Sequence, residues 1–155
     1  IYRLRYNPNI DESMKGDDVL AFDLDADPPR LVVGEAKFRG TPGKAVVVEI
    51  VDNLSKSCRA GIPASLQFVA DRLFEEGRAE LGARILQCIL SLAQGNLRRD
   101  YVGLLLSNHN AGANVQQHAT TETHRLAVIS VGLENPADVV ERCFSAMEPE
   151  YDDPE

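Results

Sequence analysis

Two short apolar runs joined by an Asp-Pro-Pro turn constrain this chain more than any other feature. Val19 to Leu24 follow a pair of acids, Asp17 and Asp18. Asp27-Pro28-Pro29 interrupt the run. Leu31 to Val33 resume it and lead into Glu35-Ala36-Lys37. Val, Leu and Phe on either side of a proline-bearing turn predict two paired strands. Side chains alternate along a strand, so Glu35 and Lys37 point to one face. In an antiparallel hairpin the start of one strand lies beside the end of the other. The acids and the Glu-x-Lys therefore share one small volume. Asp23 and Asp25 fall on the face opposite Leu20, Phe22 and Leu24 and read as the wet side of the hairpin. The closing Glu and fixed Gly of a calcium loop are missing there.

Two carboxylates with a lysine beside them suit a hard divalent cation. Mg²⁺ (or Mn²⁺) prefers carboxylate and carbonyl oxygen and keeps several waters. Such a cation lowers the pKa of a bound water, orients it and offsets charge developing on a phosphate. A neighbouring ammonium holds the water or neutralises the same charge. Asp18, Glu35 and Lys37 are thus candidate catalytic residues, with Asp18 and Glu35 as metal ligands and Asp17 and Glu49 as further candidates. The competing account is a solvated, charge-paired strand edge behind an acidic turn.

Gly16-Asp17-Asp18-Val19 and Val33-Gly34-Glu35-Ala36-Lys37 resemble the PD-(D/E)xK nuclease signature, an Asp opening a strand and Glu-x-Lys on the next. Asp17 stands where that signature often carries proline. This leaves open which of Asp17 and Asp18 is the ligand; Asp18 is preferred because the apolar strand begins directly after it. The resemblance implies phosphodiester hydrolysis with Mg²⁺ or Mn²⁺.

The rest of the chain sets bounds. Its 155 residues are enough for one domain with a sizeable core. No apolar run reaches membrane-spanning length, and there is no signal peptide. Cys58, Cys88 and Cys143 are odd in number and far apart, which predicts buried thiols in a reducing, cytoplasmic setting rather than a disulfide framework or zinc site. The formal net charge of −8 argues against a surface coated with basic residues for nucleic acid, though not against a local basic groove. A chain opening at Ile1 reads as truncated at its N-terminus. Residues 148–155, EPEYDDPE, read as an acidic flexible tail following a single domain over 1–147.

Residues 1–6 alternate apolar and basic side chains and predict a strand closed by Asn7-Pro8-Asn9. Arg3 and Arg5 share a face of it, more simply solvated than bound to phosphate. After Lys37, Thr41 reads as an N-cap with Pro42 at the first helical position, opening a helix to about Ser57. Its Val and Ile content predicts burial. Glu49 lies two turns in, where a surface role is the simpler account. Two further helices, Pro63–Glu76 and Ala79–Gln94, form a helical hairpin. The first carries the apolar stripe Leu66, Val69, Ala70, Leu73 and Phe74. Strands are expected over Asp100–Ser107 and His124–Gly132. The polar stretch between them is long for a loop and carries His109 and His118. With His124 these make three histidines, but their spacing matches no familiar ligand pair. Asn135-Pro136 opens a last helix, Ala137–Met147, with Val139, Val140, Cys143 and Phe144 inward.

This order predicts an α/β fold, a mixed central sheet flanked by helices. It resembles the restriction-endonuclease-like core with an inserted helical hairpin. More narrowly, GDDVLAF…LVVGEAKF with the late DYVGLLLS strand resembles the nuclease subunit of the Hachiman anti-phage defence system. That resemblance implies a bacterial cytoplasmic DNA endonuclease working beside a helicase. The alternative is a non-catalytic interaction subunit, with the helical pair and the long loop as contact surfaces. There is no glycine-rich phosphate loop, serine elbow or dinucleotide fingerprint to favour other enzyme classes.

Overall fold

A computed structural model describes residues 17–61, 63 and 65–146. The expected N-terminal strand and the acidic tail lie outside them. Four strands form one mixed sheet in the order β1 (Val19–Asp23), β2 (Arg30–Arg39), β3 (Arg98–Ser107), β4 (Leu126–Gly132). β1 runs antiparallel to β2; β2, β3 and β4 are mutually parallel. Five helices complete the fold: α1 (Lys44–Ala60), α2 (Ser65–Glu75), α3 (Ala79–Ala93), α4 (Gly112–His118) and α5 (Pro136–Ser145). The α/β class and the mixed sheet agree with the sequence.

The period-2 alternation sets apart two faces of the sheet. Leu31, Val33 and Glu35 on β2 and Tyr101, Gly103, Leu105 and Ser107 on β3 face α1 and are buried. Leu20 and Phe22 on β1 extend that face to α2 and α3, whose Leu66, Val69, Ala70, Leu73, Ile85 and Cys88 join the same core. Residues on the other face fare differently. Ala36, Leu104 and Ile129 lie side by side across the sheet, and Leu104 and Ile129 remain 39% and 50% exposed. Among the described residues, the sheet is covered on one face only over this patch.

Close approach of α1 depends on Gly103. A Cβ there would stand 2.4 Å from the Ile50 Cγ2 methyl, a distance no real contact tolerates. Since Gly103 pairs with Glu35 across the β2–β3 register, this glycine lets the helix lie directly over the site strand.

Several expectations need correction. Gly43, not Thr41, precedes the first turn of α1, in extended conformation and without a side-chain cap. Pro42 stays outside the helix, and its carbonyl accepts a hydrogen bond from Asn114 Nδ2 at 3.0 Å. The long β3–β4 connection is tied down: it folds into α4, and Thr121 and Thr123 bond Ser55 of α1 at 3.3 and 3.0 Å. Phe74 and Phe144 are 40% and 54% exposed rather than inward. Cys88 is buried, but Cys58 is half-buried and Cys143 exposed.

Candidate functional site

The site forms at the open end of the β1–β2 hairpin, where α1 crosses it. Glu35 is buried, with 9% of its surface exposed, and its Oε1 accepts two hydrogen bonds. Lys37 Nζ donates one at 2.7 Å; Asn53 Nδ2, from α1, donates the other at 2.9 Å. Both donors converge on one oxygen. Lys37 also pairs with Glu49 at 3.4 Å, and Arg39 Nη2 meets the other Glu49 oxygen at 3.5 Å. The hydrogen bond to Glu35 raises the Lys37 pKa above its usual value, with Glu49 adding to the shift. The lysine is therefore held as an ammonium.

The two acids at the start of β1 take separate positions. Asp18 Oδ2 accepts the Ala36 backbone N–H at 2.8 Å, clamping the hairpin mouth at an exposed edge. Asp17 Oδ1 accepts from Ser57 Oγ of α1 at 2.6 Å. Burial raises the Asp17 pKa. The Ser57 hydrogen bond opposes that rise, while the charges of Glu35 and Asp18 add to it. The pair thus stays at the mouth of the hairpin, Asp17 on the helix side and Asp18 on the strand side.

Glu49, Asn53 and Ser57 are spaced four residues apart and lie on one stripe of α1. Each bonds a different residue of the hairpin: Lys37, Glu35 and Asp17. Sequence reasoning singled out Glu49 but missed Asn53 and Ser57. The available signal was three polar residues at helical spacing on a helix whose other inward positions are Val, Ile and Leu, with Ser55. The Tyr101 hydroxyl is buried near this stripe and has no hydrogen-bond partner among the described residues. Burial, with Cys58 next to it, pushes its pKa up.

The donor set is one that a hard cation accepts. All the candidate ligands are carboxylate oxygens, and the mutual repulsion felt at Asp17 is the kind a divalent cation relieves. Among the described residues no three carboxylate, histidine or cysteine side chains are arranged to grip a metal ion together. A cation here would rest on one or two carboxylates and complete its shell with water, a habit of Mg²⁺.

An α/β fold whose hairpin and first helix gather carboxylates around a locked lysine describes a class of site rather than one protein. The comparisons are more specific. The sequence matches the HamA family over residues 1–147. It is 38% identical over 148 residues to the Hachiman protein HamA of Bacillus cereus. The match covers 96% of this chain and 52% of that relative, so the chain spans about half the length of the curated relative it matches. The chain belongs to the HamA family. Among the described residues no helix is long and apolar enough to cross a membrane.

Proposed function

We propose that this chain is a metal-dependent DNA endonuclease acting in bacterial anti-phage defence beside a helicase partner. The observation that carries this is the sharing of Glu35 Oε1 by Lys37 and Asn53, with Asp17 and Asp18 at the same hairpin mouth. The order hairpin, helix, parallel strands also suits a restriction-endonuclease-like core with α2 and α3 inserted.

Glu35 and one of Asp17 and Asp18 would hold Mg²⁺ or Mn²⁺. When bound, the ion supplies an activated water and a counter-charge for the phosphate. The remaining work falls to the chain. Asn53 and Lys37 fix Glu35 through Oε1, which leaves Oε2 for a ligand. Lys37, permanently charged, hydrogen-bonds the attacking water or the non-bridging phosphate oxygen as charge grows there. Glu49 limits the swing of Lys37. Membership of the HamA family supports the defence role and makes a partner subunit reasonable.

The test is calorimetric titration with Mg²⁺ and Mn²⁺ of wild type, Glu35→Ala, Asp17→Asn and Asp18→Asn, followed by plasmid cleavage with helicase added. Binding lost in Glu35→Ala and weakened in one Asp variant, with cleavage lost in parallel, is the expected result. Cleavage at the wild-type rate by Glu35→Ala and Lys37→Ala would sink the assignment. A second reading, a non-catalytic interaction subunit, is favoured by Leu104, Ile129 and Phe38, which lie exposed on the uncovered sheet face. It predicts no cleavage under any metal.

A further inference from the structure

The other buried acid of the sheet, Asp100, sits in a different setting. It lies near the start of β3 on the face away from α1, 6% exposed, and three arginines surround it. Arg30 Nε of β2 bonds its Oδ2. Arg98 Nε of β3 reaches the same oxygen at 3.1 Å. Arg125 Nη1, just before β4, stands 3.5 Å from Oδ1. Register explains the convergence. Arg30 pairs with Arg98, and Arg125 precedes Leu126, which pairs with Tyr101, the neighbour of Asp100. Three adjacent strands thus each deliver one guanidinium to one point.

Asp100 balances one of these three cations and Asp23, the cross-strand partner of Arg30 on the same face, flanks a second, leaving a local excess of one positive charge on a chain whose net charge is −8. The arginine side chains are 41%, 45% and 53% exposed, whereas the Asp100 side chain is 9% exposed. Arg30 and Arg98 both meet Asp100 through Nε, so their terminal amino groups are not the donors of these bonds. Arg125 is held in the left-handed region at φ 59°, a conformation that only a fixed surrounding tolerates for a side chain of this size. Burial pushes the Asp100 carboxyl up, but the Arg30 and Arg98 guanidiniums outweigh it and hold the pKa below the usual carboxylate range. Asp100 therefore stays ionised and acts as the hub that sets three planar forks at fixed angles. Like charges this close repel, and the one carboxylate between them offsets only part of that repulsion.

We propose that Arg30, Arg98 and Arg125, oriented by Asp100, form a binding site for phosphate groups on the sheet face opposite Glu35. Guanidinium forks match phosphate oxygens bidentately, and a surplus of positive charge suits a phosphate group. The group can arrive on a polynucleotide backbone or on a free nucleotide. Arg30 lies five residues before Glu35 on β2, about 16 Å along the strand and on the other face, so this site is separate from the hairpin mouth. It stands independently of the cleavage reading.

The test uses the chain in EDTA, so that no divalent metal contributes. Fluorescence anisotropy with a labelled single-stranded oligonucleotide is read against salt for wild type, Arg125→Gln and the Arg98→Gln/Arg125→Gln double variant. NMR of arginine Nε–Hε signals follows titration with inorganic phosphate and with AMP. On a polynucleotide, the double variant binds about tenfold more weakly, and its log–log salt slope flattens by about 1.4, two phosphate contacts' worth for a single strand. Arg125→Gln falls between, which guards against misfolding of the double variant. Oligonucleotide binding unchanged, but arginine signals shifted by phosphate or AMP in wild type alone, assigns the site to free phosphate esters. Unchanged binding with no shift by either ligand overturns the proposal, including the case in which these arginines receive an acidic protein instead.

Discussion

The two buried acids of the sheet, Glu35 and Asp100, show how one fold builds opposite electrostatic demands. Glu35 lies under α1 among Asp17, Asp18 and Glu49, with Lys37 and Arg39 as the nearby cations; four negative and two positive side chains leave −2. Asp100 lies on the other face with Arg30, Arg98 and Arg125, and Asp23 stands across from Arg30; two negative and three positive leave +1. Each carboxylate is hydrogen-bonded and buried, so burial alone does not separate them. The sign of the surplus does. The hairpin mouth has negative charge to spare and suits a cation; the β3 start has positive charge to spare and suits an anion.

The largest effect separating the two regions is on catalysis. Lys37→Ala is expected to reduce DNA cleavage by about 10²–10³-fold, the size of effect seen when one preorganised donor to a developing negative charge is removed. Arg98→Gln, on the other face, should leave turnover at saturating DNA within a few-fold of wild type. Single-turnover kinetics on both variants decide this. Comparable turnover losses in the two would show that the regions do not divide the labour by sign.

Stability should respond unequally at the two acids. Asp100→Asn leaves three guanidiniums without their shared counter-charge and is expected to cost about 2 kcal/mol; the arginines' exposure holds this below the figure for a fully buried pair. Glu35→Gln removes one negative charge from a surplus and keeps an acceptor for Asn53. It should change stability by less than about 1 kcal/mol. Urea unfolding of both variants measures the contrast. Equal destabilisation would mean that hydrogen bonding, rather than charge balance, governs both sites.

How much of this was legible in the sequence follows the range of the interactions. The hairpin with Glu35 and Lys37 on one face was readable, because period-2 alternation and the Asp-Pro-Pro turn are local. The helices and the mixed sheet followed from runs and breakers for the same reason. Asn53 and Ser57 were not, since their roles depend on how α1 lies across the sheet, and that is set by Gly103, fifty residues after Asn53 in sequence. The Asp100 cluster was still less visible. Arg30, Asp100 and Arg125 come together only through the β2–β3–β4 register, and nothing in the stretch Arg98-Arg99-Asp100 marks the acid as buried. The β3–β4 connection misled for a different reason: its polar residues suggested a loop, but Asn114 bonds Pro42 just before α1, and Thr121 and Thr123 bond Ser55 within it.

Gly103 links fold to site on one side of the comparison only. Gly103→Ala drives a methyl into Ile50 and is expected to cost about 1–3 kcal/mol as α1 lifts. Because Asn53 and Ser57 ride on α1, metal affinity at the hairpin should weaken as well, while the phosphate-dependent arginine signals stay at their wild-type positions. Calorimetry and the NMR titration on this one variant sharpen the division of the faces. A loss of both together would indicate that the sheet itself distorts.

The smallest expected effect concerns pH, and its sign differs between the two regions. Asp17 has a raised pKa in the fold, with burial the leading cause and the Glu35 and Asp18 charges adding to it. A carboxyl whose folded pKa exceeds its unfolded value of about 3.8 favours the fold most when protonated. That contribution is complete below the unfolded pKa and is lost as pH rises through the raised folded value. Asp100 has a depressed pKa, so its contribution is present above the unfolded value and is lost as pH falls through the folded one. Asp17→Asn should therefore remove a fall in stability just above the ordinary carboxylate range, and Asp100→Asn a fall below it. Thermal melts across the acid limb, without divalent metal, resolve the two. Adding Mg²⁺ should then abolish the Asp17 contribution in wild type, because a bound cation stabilises the carboxylate that burial disfavours. An Asp17 limb unaffected by Mg²⁺, in a protein that binds the ion by calorimetry, would leave Asp18 as the aspartate that holds it.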